Sequence, residues 1–345
     1  MTNMWQEILQ QPEVLEGCLK KNRAVIDDIV RDCEKKNIRF AVIAARGTSD
    51  HAAVYGKYAL EILTGLPVAL AAPSVMTMYG RDMAFGGSLV IGVSQSGEAS
   101  DVIEVINTAR RHGAVTAAVT NFPDSPLAKA AEFNLDCAAG LEKSVAATKT
   151  FTTELYLLGN LAASLAHDEK LTEEYLRVPD MLRETFRLNE NIDKDVERYR
   201  FMKECFVLAR GINYAIALEA ALKIQETSYV RAKAYATSDF HHGPMAMVER
   251  DMPVIVYAPS GPSSSDIVEM VGRMKEAEGD VLMISDDAGL RALGSRALTV
   301  PKAMSDFTSP FCNAAVAQMF ACRLSLLKGL NPDSPRMLHK ITVTR

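Results

Sequence analysis

The sequence predicts an α/β protein made of two copies of one module, each a parallel β-sheet flanked by helices. Short apolar runs alternate with stretches of helical periodicity, and a pair of landmarks recurs at one fixed spacing. At 345 residues and 48% hydrophobic composition the chain is also long enough for two cores, each self-sufficient without staples or metals.

From Met1 to Lys36 the apolar residues Leu9, Val14, Leu15, Leu19, Val25, Ile26 and Val30 recur at roughly helical spacing, which predicts two amphipathic helices before the first strand. Arg39–Ala45 then reads as a strand, His51–Leu63 as a helix, Ser88–Val93 as a strand, Ser100–Arg111 as a helix and Val115–Thr120 as a strand. That alternation is the mark of a parallel sheet with crossover helices. Ala45-Arg46-Gly47 closes the first strand, and Ala209-Arg210-Gly211 closes the strand Cys205–Leu208, 164 positions later. Ser96-Gly97 and Ser260-Gly261 also follow strands, the second being Pro253–Tyr257, and they too lie 164 apart. Two landmarks sharing one offset predict a duplicated module. The expected domains are a helical segment over 1–38, a first module over 39–170, a charge-rich helical join over 171–199, a second module over 200–330 and a tail over 331–345.

A formal charge of −5 with both signs interspersed supplies no basic field for nucleic acid and works against an anionic ligand. Any phosphate must therefore be held by local donors. No apolar run reaches the roughly 18 residues of a membrane span, and Met1–Val30 lacks the basic start and apolar block of a secretory leader. A cytoplasmic protein is the expectation. Cys18, Cys33, Cys137, Cys205, Cys312 and Cys322 are scattered singly, without the paired spacings of zinc or redox sites, and most read as reduced, buried small hydrophobes. No cofactor is called for.

In an open parallel sheet, ligands sit beyond the carboxyl ends of the strands, where the next helix presents free N–H groups. Two such turns in the first module are rich in hydroxyls, Gly47-Thr48-Ser49-Asp50 and Ser94-Gln95-Ser96-Gly97-Glu98-Ala99-Ser100. Small side chains let the backbone approach a phosphate, and Ser, Thr and Gln add donors. The alternative is that these residues only cap helices. The second module offers an internal control, because its counterpart turn, Tyr257-Ala258-Pro259-Ser260-Gly261-Pro262, carries two prolines that donate no backbone N–H. That asymmetry suggests one ligand-binding module and one that has lost the site.

Ala215–Tyr229 has a helical pattern with Glu219, Lys223 and Glu226 on one face. A carboxylate beside a lysine on so apolar a helix is a candidate acid or base; the alternative is a surface salt-bridge stripe. Downstream, His241 and His242 precede a Gly243-Pro244 turn that could present an imidazole rigidly. No third ligand at metal spacing accompanies them, so a zinc site is rejected. The tail carries Leu338, Ile341 and Val343, so it is expected to pack and thereby place Lys340 in a site.

Together these stretches resemble the double sugar-isomerase (SIS) domain family, whose modules are flavodoxin-like three-layer sandwiches. Ser94–Glu98, Val145–Lys149, Ala217–Lys223, His242–Met245 and Pro335–Lys340 resemble the isomerase half of the glutamine:fructose-6-phosphate aminotransferases. Ala45–Ala53 and Ala72–Val75 look closer to SIS-type glucosamine-6-phosphate deaminases. By matching position, the resemblance implies phosphate contacts from Ser49, Ser94, Gln95 and Ser96, with Thr48 lining the same turn. It implies Glu226 as the base shuttling a proton between C1 and C2, with Lys223 beside it. His242 would be the ring-opening acid–base contributed across a homodimer interface, and Lys340 the amine meeting the open-chain ketose. Glu142 and Val145 would border the sugar. Ala99 stands where the aminotransferases place a threonine, with Ser100 adjacent as a substitute, and Ala147 stands where they place a serine.

A glutamine-using synthase needs an N-terminal cysteine and a glutaminase domain, whereas here the second residue is Thr2, followed by some 36 residues before the first strand. The expected reaction is therefore deamination of glucosamine 6-phosphate to fructose 6-phosphate and ammonia, or its ammonia-dependent reverse. Two rivals stay open, a deglycase acting on fructosamine 6-phosphates and a non-catalytic sugar-phosphate sensor. A DNA-binding regulator is disfavoured, because Met1–Lys36 is too short for a full helix-turn-helix module.

Overall fold

Strands β1 (Phe40–Ala44), β2 (Val68–Leu70), β3 (Ser88–Val93), β4 (Val115–Thr120) and β5 (Phe133–Asp136) form one sheet in the order β2-β1-β3-β4-β5. Strands β6 (Glu204–Ala209), β7 (Arg231–Ala236), β8 (Pro253–Tyr257), β9 (Asp280–Ser285) and β10 (Arg296–Thr299) form another in the order β7-β6-β8-β9-β10. Every pairing is parallel, and the two orders coincide strand for strand. The repeat read from the 164-residue offset is thus a repeat of topology. The computed structural model describes residues 1–338 and Lys340. They divide into a first unit, Glu13–Glu142 and Lys149–Leu176 with Lys340, and a second, Met1–Pro12, Lys143–Thr148 and Arg177–Leu338.

In the first unit, alternate residues of β1 face opposite helix layers, as strand geometry requires. Val42 and Ala44 pack with Val90 against Val102, Val105, Ile106 and Ala109 of the helix Ser100–Arg111. On the other face, Ile43 and Leu158 close on Gly56 of the helix Thr48–Thr64, within about 3.2 Å of where a β-carbon would stand. Leu158 belongs to Lys149–Leu165, a helix buried almost throughout its length. Gly159 on that helix lets the hydroxyls of Tyr55 and Tyr175 meet at 2.7 Å, because any β-carbon there would collide with both phenol oxygens. The N-terminal pattern resolves into helices Asn3–Leu9 and Gln11–Lys36. Asn22 on the longer one exchanges two 2.8 Å hydrogen bonds with the backbone of Asp136, satisfying edge strand β5.

In the second unit, Phe206, Leu208, Val254, Val256, Val281 and Met283 pack against Ile267, Met270, Val271 and Met274 of the helix Ser264–Glu276. The helix Ser309–Leu327 is buried along nearly its whole length. Asp333 accepts hydrogen bonds from the backbone N–H groups of Asn3 and Met4, each 2.8 Å, fastening the first helix to this unit. The charge-rich join is helical, with Glu169–Tyr175, Val178–Leu188 and Asp193–Val196. Among the described residues no helix is long and apolar enough to cross a membrane.

All six cysteines are free and buried. Burial pushes Cys18, Cys33, Cys205 and Cys312 up to about 12 and Cys322 to about 11, from an ordinary 9.0. A folded-state value raised this way leaves the stabilising contribution complete below about pH 9 and removes it as the pH climbs toward 12. Melting temperature is therefore expected to fall steadily above about pH 9. At about pH 8 a thiol reagent should label native protein far more slowly than denatured protein, and a fast-reacting native thiol would contradict this packing.

Candidate active site

The order β2-β1-β3-β4-β5 changes direction between β1 and β3, which is where an open parallel sheet offers a crevice. The two hydroxyl-rich turns are the ones that follow these strands. The helices they lead into, Thr48–Thr64 and Ser100–Arg111, start behind Gly47 and Ala99, and neither has a side-chain cap. Capping by the residue ahead of either helix therefore does not account for these hydroxyls. Ser94 Oγ accepts from the Gly97 N–H at 3.2 Å and Ser96 Oγ from the Glu98 N–H at 3.3 Å, so both brace their own turn. Gly97, at φ +66°, packs so closely on Ser125 and Thr120 that no β-carbon fits.

Ser49 is buried and its hydroxyl donates to Glu154 Oε1 at 2.8 Å. Thr48, Gln95 and Ser96 are half-buried, while Ser100 is exposed at the first helical position beside Ala99. Burial pushes the Asp50 carboxyl up, against the pull of His51 and Arg46. Arg46, at the end of β1, donates from Nε to Asp101 Oδ2 at 2.6 Å, linking the two turns. Arg46, Asp101 and Glu154 were not among the residues predicted for this site. The repeat of Arg46 as Arg210 was the signal that could have found the first.

The counterpart turn of the second unit is filled by its own carboxylates. Asp286 accepts from Ser260 N at 2.6 Å and from Ser260 Oγ at 2.5 Å. Asp306 crowds Gly261 so closely that a β-carbon would strike its carboxylate. Burial, then the charge of Asp286, pushes the Asp306 carboxyl up. Two prolines and two acids leave this turn unsuited to an anion.

The helix Tyr214–Ser228 carries the expected charged trio, but it is no surface stripe. Lys223 and Glu219 side chains are 0% exposed, and Glu226 is 21% exposed. Lys223 Nζ lies 2.6 Å from Glu226 Oε2 and 3.3 Å from Glu219 Oε1. Burial alone would push the lysine down; the charges and hydrogen bonds of the two glutamates outweigh it and hold Lys223 above its usual range. One buried ammonium thus anchors one buried carboxylate and one that reaches the surface. His242 is exposed, ending the short helix Thr237–His241 ahead of Gly243 at φ +143°.

Of the three apolar residues expected to pack the tail, Leu338 alone is described. Leu338 is 40% exposed and Met337 94% exposed, while Ile341 and Val343 lie outside the described residues. Polar contacts engage the described part of the tail. In the second unit, the Arg336 N–H donates to the Tyr229 hydroxyl at 2.8 Å and its guanidinium lies 4.1 Å from that ring's centroid. In the first unit, Lys340 Nζ donates to Glu142 Oε2 at 2.8 Å. Glu142, predicted to border the sugar, is buried and also accepts from Thr150 N at 3.2 Å and Thr150 Oγ1 at 2.8 Å. Val145 is half-buried in the segment Lys143–Thr148 of the second unit. That segment is tied down by Glu7, which accepts from Lys143 N and from Ser144 N and Oγ.

This duplicated scaffold matches the SIS domain twice, over residues 36–164 and 201–328, and the chain belongs to that family. It is 34% identical over 344 residues to a glutamine–fructose-6-phosphate aminotransferase of Aquifex aeolicus, spanning 99% of this chain and 57% of that protein. A candidate phosphosugar isomerase from Silicibacter pomeroyi superimposes with a TM-score of 0.88 at 29% identity, over 96% of this chain and 100% of the other. A glucosamine-6-phosphate deaminase from Thermotoga maritima matches with a TM-score of 0.77 at 22% identity, over 99% of this chain and 100% of the other, a likeness of fold alone.

Removing the Lys223 ammonium would take from buried Glu219 the charge 3.3 Å from its carboxylate. Lys223→Met should therefore lower stability by about 3–5 kcal/mol, whereas Glu226→Gln, at the partly exposed end, should cost less. Urea denaturation of the two variants checks this order, and equal losses would contradict it.

Proposed function

We propose that this chain is a sugar-phosphate isomerase that releases ammonia, converting glucosamine 6-phosphate to fructose 6-phosphate or running the reverse. The observation that carries the reading is Glu226, a carboxylate reaching the surface while held at 2.6 Å by the buried Lys223. Such a group is fixed in position and still accessible to a substrate, as a general base must be. The hydroxyls and backbone of the turns after β1 and β3 would take the phosphate, with contacts from Ser49, Ser94, Gln95, Ser96 and Ser100 and with Thr48 lining the turn. The second unit's self-filled turn supports assigning that task to the first unit. The fructose 6-phosphate side of the reaction comes from the aminotransferase relative, whose name specifies it, and the amino-sugar side from the resemblance of Ala45–Ala53 and Ala72–Val75 to the deaminases.

In the proposed reaction His242 assists ring opening. Glu226 then removes the proton from C2 of the open-chain amino sugar and returns it to C1. The C2–H bond breaks and a C1–H bond forms, the C1 aldehyde oxygen gains a proton as the C2 amine loses one, and the imine left at C2 is hydrolysed by water to the ketose and ammonia. Lys340 is the amine that meets the ketose carbonyl in the reverse sense, and Glu142 and Val145 shape its surroundings. Holding the phosphate fixes the reacting carbons, which supplies the positional share of the rate. The free, buried thiols are consistent with a reducing compartment, and we place the enzyme in the cytoplasm.

The test is a panel of phosphorylated sugars assayed for ammonia, ketose and free amino acid. Ammonia released from glucosamine 6-phosphate is the expected result. Lysine released from fructoselysine 6-phosphate without ammonia from the amino sugar would make the chain a deglycase, and binding without turnover would make it a sensor. Glu226→Gln should retain sugar-phosphate binding while turnover falls by about 10²–10⁴-fold; an active variant would remove Glu226 from the role. The proposal extends to a homodimer in which His242 serves the partner's site. Mixing inactive His242→Ala with inactive Glu226→Gln chains should then restore part of the activity, and persistent inactivity despite proven subunit exchange would rule out a shared site.

A further inference from the structure

Asp101 is an unexpected neighbour for a phosphate. It lies in the first turn of the helix Ser100–Arg111, its side chain is only 4% exposed, and its Oδ1 accepts from the next backbone N–H, that of Val102, at 2.9 Å. A carboxylate there consumes the positive end of the helix that an anionic ligand would otherwise use. The chain has no surplus of positive charge to offset it, since its formal charge is −5.

Arg46 supplies the missing charge locally. It follows β1 whereas Asp101 follows β3, so their 2.6 Å pair spans the switch-point crevice within the first unit. The arginine side chain is 49% exposed, so its charge is available at the surface of the crevice and not only to the buried acid. The second unit repeats the device in weaker form. Arg210 approaches Asp266 at 3.7 Å, and Asp266 also accepts from the Thr237 hydroxyl. There the neighbouring turn is closed by Asp286 and Asp306, and no anion has to be accommodated.

We infer that Arg46 is a specificity-determining residue for the phosphate group, acting by neutralising Asp101 so that the helix terminus after β3 tolerates a dianion. This rests on the phosphate being held by the turns after β1 and β3. Neutralising an acid predicts a result that direct phosphate contact does not, namely rescue when the acid itself is removed. Direct contact would leave the loss unrepaired.

The experiment measures fructose 6-phosphate, inorganic phosphate and unphosphorylated fructose binding by calorimetry for wild type, Arg46→Gln, Arg46→Lys, Asp101→Asn and the Arg46→Gln/Asp101→Asn double variant. Arg46→Gln should weaken both phosphate-bearing ligands by about 10- to 100-fold, the worth of a charge-assisted interaction, and leave fructose binding unchanged. Arg46→Lys should stay close to wild type, Asp101→Asn should bind at least as tightly, and the double variant should regain most of the loss. If Arg46→Gln fails to fold, Asp101→Asn and Arg46→Lys still decide, because weaker phosphate binding in either contradicts charge compensation. A double variant no better than Arg46→Gln overturns the inference while leaving the functional reading intact. A wild-type chain that binds no sugar phosphate overturns that reading first, and the inference with it.

Discussion

The helices that follow β1 and β3 leave toward opposite faces of one parallel sheet, and most of the proposed site depends on that divergence. Val42 and Ala44 face the helix after β3, while Ile43 faces the helix after β1. Two βα turns are thereby splayed side by side, each leading into a helix whose N-cap residue, Gly47 or Ala99, makes no side-chain cap. On the proposed reading, a chain with a net charge of −5 would hold an anion here through oriented dipoles and hydroxyls, with the Arg46–Asp101 pair spanning the turns.

The duplicated module separates what topology dictates from what chemistry adds. Both units have the same strand order and the same arginine at the end of the first strand. They differ in what occupies the turn after the third strand in each order. In the first unit this turn is braced by its own serines and by a glycine that admits no side chain. In the second it is sealed by prolines and two acids. The second unit instead invests in the buried Lys223, an arrangement that costs desolvation and is tolerated because both glutamates answer it. Such an expense is easier to understand in a working site than in a scaffold.

The central strands were legible because they are short, apolar and bounded by turn residues. Ser88–Val93, Val115–Thr120 and Pro253–Tyr257 appear with the bounds read from the sequence. The edge strands were not. Val68–Leu70 has only three residues, two of them exposed, and Arg231–Ala236 mixes exposed charges with alanine. Their pairing is decided by neighbours and not by local pattern. The hydroxyl turns and the Glu219–Lys223–Glu226 face were visible as patterns, but spacing cannot tell a buried ion trio from a surface stripe. The Arg46–Asp101 pair was hidden because its members, 55 positions apart, belong to different turns. Of the tail's apolar residues only Leu338 is described, and it is exposed; the contacts seen there are the polar ones of Arg336 and Lys340, which no hydrophobic pattern announces.

The assignment of phosphate to one module and not its twin is tested most directly by a crystal structure of the complex with glucosamine 6-phosphate. Phosphate density against residues 47–50 and 94–100, with none at 258–263, is the predicted result. Phosphate seated at 258–263, or away from both turns, would contradict it.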